Sequence, residues 1–82
     1  MVQTKPTGVQ NRYIKSFREA AELVIRAHVK RGDLVVVLKE LYNVLGADSA
    51  AERNGVQWAV ADCKEVGLIK SIDGSRGAYA VV

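Results

Sequence analysis

Apolar and polar residues change period several times along this chain, and each change predicts an element. Residues 1–11 are polar, carry Pro6 and Gly8, and show no period, which predicts a mobile arm; with its basic flank the arm is counted over 1–15. Ser16 and Glu19 stand in Ser-x-x-Glu spacing, a capping box that gives the first free amides of a helix their partners. A helix is predicted over 17–31, with Phe17, Ala20, Ala21, Val24, Ala27 and His28 on one face. Gly32 ends it, and Lys30 and Arg31 lie where the helix dipole favours cations. Ile25 and Val29 fall off that face, one turn apart. Either the arm or Tyr13 covers them, or they form the seam of a homodimer.

Asp33 is placed to cap the next element. Residues 34–37 are apolar and mostly β-branched, as in a short strand, and the period then becomes helical. Val37, Leu38, Leu41, Val44 and Leu45 share a face before Gly46, predicting a short helix over about 36–45. Residues 47–51 read as a turn. Ser49-x-x-Glu52 is a second capping box, but Asn54-Gly55 is a poor helical pair, costing about 1 kcal/mol at the glycine. The third helix therefore starts either at the box or at Asn54. Val56, Ala59, Val60, Cys63 and Val66 form its buried face, and Gly67 stops it. Residues 68–72 and 78–82 read as the arms of a β-hairpin with the tip Asp73-Gly74-Ser75-Arg76-Gly77.

Composition narrows the class. With 82 residues, 49% hydrophobic and 26% charged, the chain has ordinary globular composition and room for one domain, expected over 16–82 as an α+β, mostly α, fold. So small a core rarely walls a substrate pocket, which argues against an enzyme. The single Cys63 excludes an internal disulfide and a Cys-based zinc cluster, and fits a reducing, cytoplasmic setting. No second His or Cys pair builds a metal site, no glycine-rich phosphate loop follows a strand, and no cofactor is expected. A domain of this size buries only roughly 60% of its unfolded surface, so a partner subunit is the expected source of further burial. The net charge of +3 is unevenly spread. Residues 1–31 hold seven basic and two acidic side chains, 32–66 hold three and six, and 67–82 hold two and one.

The order of helix, short extended segment, helix, turn, helix and terminal hairpin with a basic tip resembles the winged helix-turn-helix family. Residues of the stretch Glu40-Leu41-Tyr42-Asn43-Val44-Leu45-Gly46 look like that family's second helix and its closing Leu-Gly. Val56, Ala59, Val60 and Cys63 look like the apolar positions of its recognition helix. Cys63-Lys64-Glu65-Val66-Gly67-Leu68-Ile69-Lys70 looks like the helix end running into the first wing strand. The resemblance covers 17–82 and departs in its longer turn before the third helix, with Asn54-Gly55.

The resemblance implies double-stranded DNA as partner, with the third helix in the major groove and the wing on the backbone. With Val56, Val60 and Cys63 inward, Asn54, Gln57, Trp58, Ala61 and Glu65 point outward. Asn54 and Gln57 suit an adenine edge, and Arg53 a phosphate or a guanine. Ser49 at the cap, and Lys70, Ser75 and Arg76 of the wing, are further contact candidates, with Lys5, Arg12 and Lys15 of the arm as minor-groove or phosphate contacts. Each has a plainer reading: a solvated helix face, a solvated turn, a charged tail. Trp58, the one Trp, reads as a nucleic-acid contact, a protein anchor or a residue under the long turn. His28 reads as a core or edge side chain and Cys63 as a small hydrophobe. Asp62 and Glu65 would repel phosphate if they faced it. The expected protein is a nucleoid-associated homodimer acting by site occupancy, as a transcription regulator or a replication, plasmid or viral locus factor. The competing expectation is a protein-interaction module docking through the third helix and Trp58 or the first helix's apolar stripe.

Overall fold

The structure of the chain, a computed structural model, describes residues 6–82, with side chains from Lys15 onward. In chain order the elements are α1 (Pro6–Arg31), β1 (Val35–Val37), α2 (Leu38–Leu45), α3 (Ala50–Glu65), β2 (Ile69–Ser71) and β3 (Ala78–Val81). This is an α+β fold, mostly helical, with a three-stranded antiparallel sheet in the order β1-β3-β2. Among the described residues no helix is long and apolar enough to cross a membrane.

The largest departure from expectation is the start of α1. It begins at Pro6, where a fixed φ suits the first helical turn and the missing amide would have had no partner. Residues 6–15, expected as arm, are therefore helical, and the Ser16/Glu19 spacing caps nothing because both lie inside the helix. Lys5 falls outside the described residues.

The buried stripe of α1 is rotated relative to the expected one. Ala21 and Ile25 are both fully buried, Phe17 and Val24 pack at the margin, and Ala27 is exposed. Ile25 belongs to the core of a single chain and Val29 is half-buried, so these two residues do not present the exposed apolar stripe expected of a dimer seam. The reason is the partner helix. α3 presents small or compact residues (Ala59, Val56, Val60, Cys63), so α1 approaches closely and its Ala21–Ile25 ridge reaches the interior.

The remaining elements follow their local signals. The φ of +67° at Gly46 ends α2, its amide and that of Ala47 returning to the Asn43 and Tyr42 carbonyls. The Ser49/Glu52 box is fully formed, so α3 starts there and carries Asn54-Gly55 within it. Val66, expected on the buried face, is exposed because the helix has ended and the chain turns out at Gly67. Asp33 caps no helix, since a strand follows it.

β3 is the central strand. Val36 pairs with Tyr79 on one side, and Lys70 with Ala80 on the other. The core lies between this small sheet and the helices, with Leu41, Ala47, Val36 and Ile69 closing it beneath α1 and α3.

Candidate nucleic-acid interface

The outward face of α3 has a shallow depression lined by Asn54, Gln57, Trp58 and Ala61. Their side chains come out together because Val56, Ala59, Val60 and Cys63 hold the opposite face down. Trp58 is 54% exposed. The Arg18 guanidinium of α1 lies over its ring, 5.4 Å from the centroid. The same guanidinium grips Asp62 in a two-pronged pair, Nε–Oδ2 2.7 Å and Nη2–Oδ1 2.8 Å. That bond holds the Arg18 proton above its ordinary range. Asp62 therefore meets any approaching phosphate already matched by a cation.

Beside this face runs a groove lined by Val37, Leu38, Lys39, Tyr42, Arg53, Arg76 and Gly77. Its cations come from three elements: Lys39 from the first turn of α2, Arg53 from α3 and Arg76 from the β2–β3 hairpin. The hairpin is tied to α2 by the Leu38 amide, which donates to the Gly77 carbonyl at 2.7 Å. Gly77 has φ +75°, and a Cβ there would stand 3.6 Å from Leu38 Cβ. That turn places Arg76 over the groove. No salt bridge engages Lys39, Arg53 or Arg76 among the described residues.

Tyr42 joins groove and face. Gln57 Nε2 donates to the Tyr42 hydroxyl at 2.8 Å, and the Arg53 guanidinium stands 5.1 Å from the Tyr42 ring centroid. Arg53 Nε donates to the Ala47 carbonyl at 3.2 Å. Arg53 is thus anchored at one nitrogen on the loop before α3.

Half of the six acidic side chains in residues 32–66 are engaged among the described residues: Asp33, Glu52 and Asp62. Glu52 accepts from the Ser49 and Asp48 amides, both at 2.9 Å, and these bonds hold its carboxyl below the usual range. Asp33, hydrogen-bonded first by Arg31 and then by His28, is lowered in the same way. Burial pushes the Cys63 thiol up, in keeping with a small hydrophobe. Among the described residues no group of three or more His, Cys, Asp or Glu can hold a metal ion.

The expected contacts therefore divide. Asn54, Gln57 and Trp58 share the α3 face, and Arg53 and Arg76 share the groove. Ser49 is occupied as the N-cap, its hydroxyl accepting from the Glu52 amide. Ser75 is exposed at the hairpin tip, and Lys70 and Lys15 are exposed but line neither depression. Arg12 lies in α1, with its side chain outside the described residues. Sequence reasoning missed Lys39 and the role of Tyr42. A lysine opposite Leu41 in the first turn of a short helix was a usable signal for Lys39. Nothing in sequence spacing pairs Tyr42 with Gln57. No family model, curated protein or solved structure matches the chain.

Proposed function

We propose that this chain is a winged-helix DNA-binding protein, with α3 entering the major groove and the β2–β3 hairpin lying as a wing on the adjacent backbone. The observation that carries the reading is the meeting of Lys39, Arg53 and Arg76, from three separate elements, in one groove beside the Asn54/Gln57 face. Cations without acidic partners among the described residues, at the edge of an amide-bearing helix, fit a duplex: charge for phosphates, amides for base edges. The element order and the β1-β3-β2 sheet agree with a wing placed after a recognition helix. A homodimer on a palindromic site would double these contacts, and occupancy of such a site is the proposed mode of action in regulation or locus organisation.

A second reading, a protein-docking module, draws on three exposed apolar residues: Trp58 at 54%, Leu23 at 70% and Val44 at 69%. Salt-titrated binding to mixed-sequence duplex DNA separates the two. Affinity for DNA falls steeply with salt when several phosphates are neutralised. Absence of any complex at low salt sinks the DNA reading and leaves the docking module.

A further inference from the structure

We infer that Tyr42 is a positioning residue that sets Gln57 as a reader of adenine and against guanine; this rests on the DNA-binding reading above. Gln57 Nε2 donates to the Tyr42 hydroxyl at 2.8 Å, a bond between two helices and residues 15 apart in the chain. A glutamine amide has two N–H donors and one carbonyl acceptor. With one N–H held by Tyr42, Gln57 presents one donor and one acceptor side by side.

Adenine shows the complement of that pair in the major groove: N6–H donates and N7 accepts. Guanine shows two acceptors, O6 and N7, and needs two donors in a fork. Gln57 in this setting has only one left. The preference follows from counting hydrogens with Nε2 turned toward Tyr42, as it stands in the structure.

Tyr42 fixes where the amide sits because it is itself held. Its ring packs against the core from α2, and the Arg53 guanidinium covers it while Nε of the same arginine is fixed on the Ala47 carbonyl. Asn54, one turn earlier on the same face, makes no side-chain hydrogen bond among the described residues. Its base preference is independent of Tyr42.

Tyr42→Phe removes the hydroxyl and keeps the ring, the core packing and the Arg53 contact. The full chain and its Tyr42→Phe and Gln57→Ala variants are each used to select bound duplexes from a random pool. Binding of the selected site is then measured with each A·T pair changed to G·C. The expected result is a position, distinct from any that Asn54 reads, at which the change weakens wild-type binding by about tenfold, the scale of a single bidentate base contact. Both variants lose that discrimination. Their affinity for mixed-sequence duplex stays within about twofold of wild type, since the phosphate contacts are intact. Thermal melting of Tyr42→Phe close to wild type excludes a folding cause. If Tyr42→Phe keeps the discrimination while Gln57→Ala loses it, Gln57 reads unaided and the inference falls. If wild type binds duplex with no adenine-dependent position, the inference falls and the DNA reading stands. If wild type binds no duplex at low salt, both fall.

Discussion

Arg18 and Asp62 close on each other through two hydrogen bonds of 2.7 and 2.8 Å, and the Arg18 guanidinium rests over Trp58 in doing so. One α1 side chain thus neutralises an α3 carboxylate and shields an α3 aromatic. Trp58 is the only Trp, so its emission reports this contact alone. Arg18→Ala is expected to shift that emission to the red and to raise its quenching by acrylamide. Asp62→Asn, which loosens the grip but leaves the arginine, is expected to move both readouts in the same direction by less. Identical spectra in all three proteins would mean that the stacked arrangement does not persist in solution.

The rotated stripe of α1 makes a different kind of prediction. Ile25 is fully buried, whereas Leu23, two residues away, is 70% exposed. Ile25→Ala is expected to cost about 2–5 kcal/mol, the lost transfer energy plus a cavity. Leu23→Ala is expected to stay within about 0.5 kcal/mol, as surface changes do. Urea unfolding measures both. A concentration-dependent loss in Ile25→Ala, with the monomer unaffected, would restore the residue to a subunit seam.

At the start of α3 the sign of a pH effect is fixed by the capping box. Backbone hydrogen bonds from Ser49 and Asp48 hold Glu52 below its ordinary value. Its contribution is therefore complete above the usual glutamate range, about 4.3, and is lost as pH falls through the lowered folded value. Melting temperatures of wild type and Glu52→Ala should differ at pH 7 and converge as pH drops toward 3. Ser49→Ala removes an acceptor that does not titrate. It should cost about 1 kcal/mol at pH 7 and keep a deficit at low pH. A Glu52→Ala gap independent of pH would show that the carboxylate charge adds nothing to the cap.

These three cases also mark what the sequence could disclose. The Ser49/Glu52 box, the Gly46 stop and the hairpin were legible because each is a short-range signal with a local cause. The α3 inner face was legible because Val56, Ala59, Val60 and Cys63 keep one helical period. Ile25 was misplaced because the facing helix, absent from any local window, chose the buried angle of α1. The false box at Ser16 shows the converse: a correct local motif is overridden when the helix continues through it. At the candidate interface, residue types on the α3 face were readable, whereas the Arg18–Asp62 and Tyr42–Gln57 pairs span 44 and 15 positions and exist only once the helices pack.

The charge map gives the last prediction. By sequence the basic first third of the chain looked like a clamp on DNA, yet three of its arginines face carboxylates: Arg18 with Asp62, Arg26 with Glu22 and Arg31 with Asp33. A cation already matched by a carboxylate releases few counterions from DNA, whereas an unmatched one facing a phosphate lowers the salt slope by about one when removed. On the proposed DNA-binding reading, Lys39→Ala and Arg76→Ala should therefore each flatten the plot of log affinity against log salt by about one, equally on all sequences. Arg18→Ala should leave the slope unchanged, or weaken binding only through the freed Asp62. Titration from about 50 to 200 mM salt on mixed duplex covers the range in which such slopes are steep. If Arg18→Ala flattens the slope as much as Arg76→Ala, the Arg18–Asp62 pair opens on binding and α1 joins the contact surface. If only Lys39 and Arg76 register, the polyanion lies along the groove between α2 and the β2–β3 hairpin, and the Arg18 charge serves the fold.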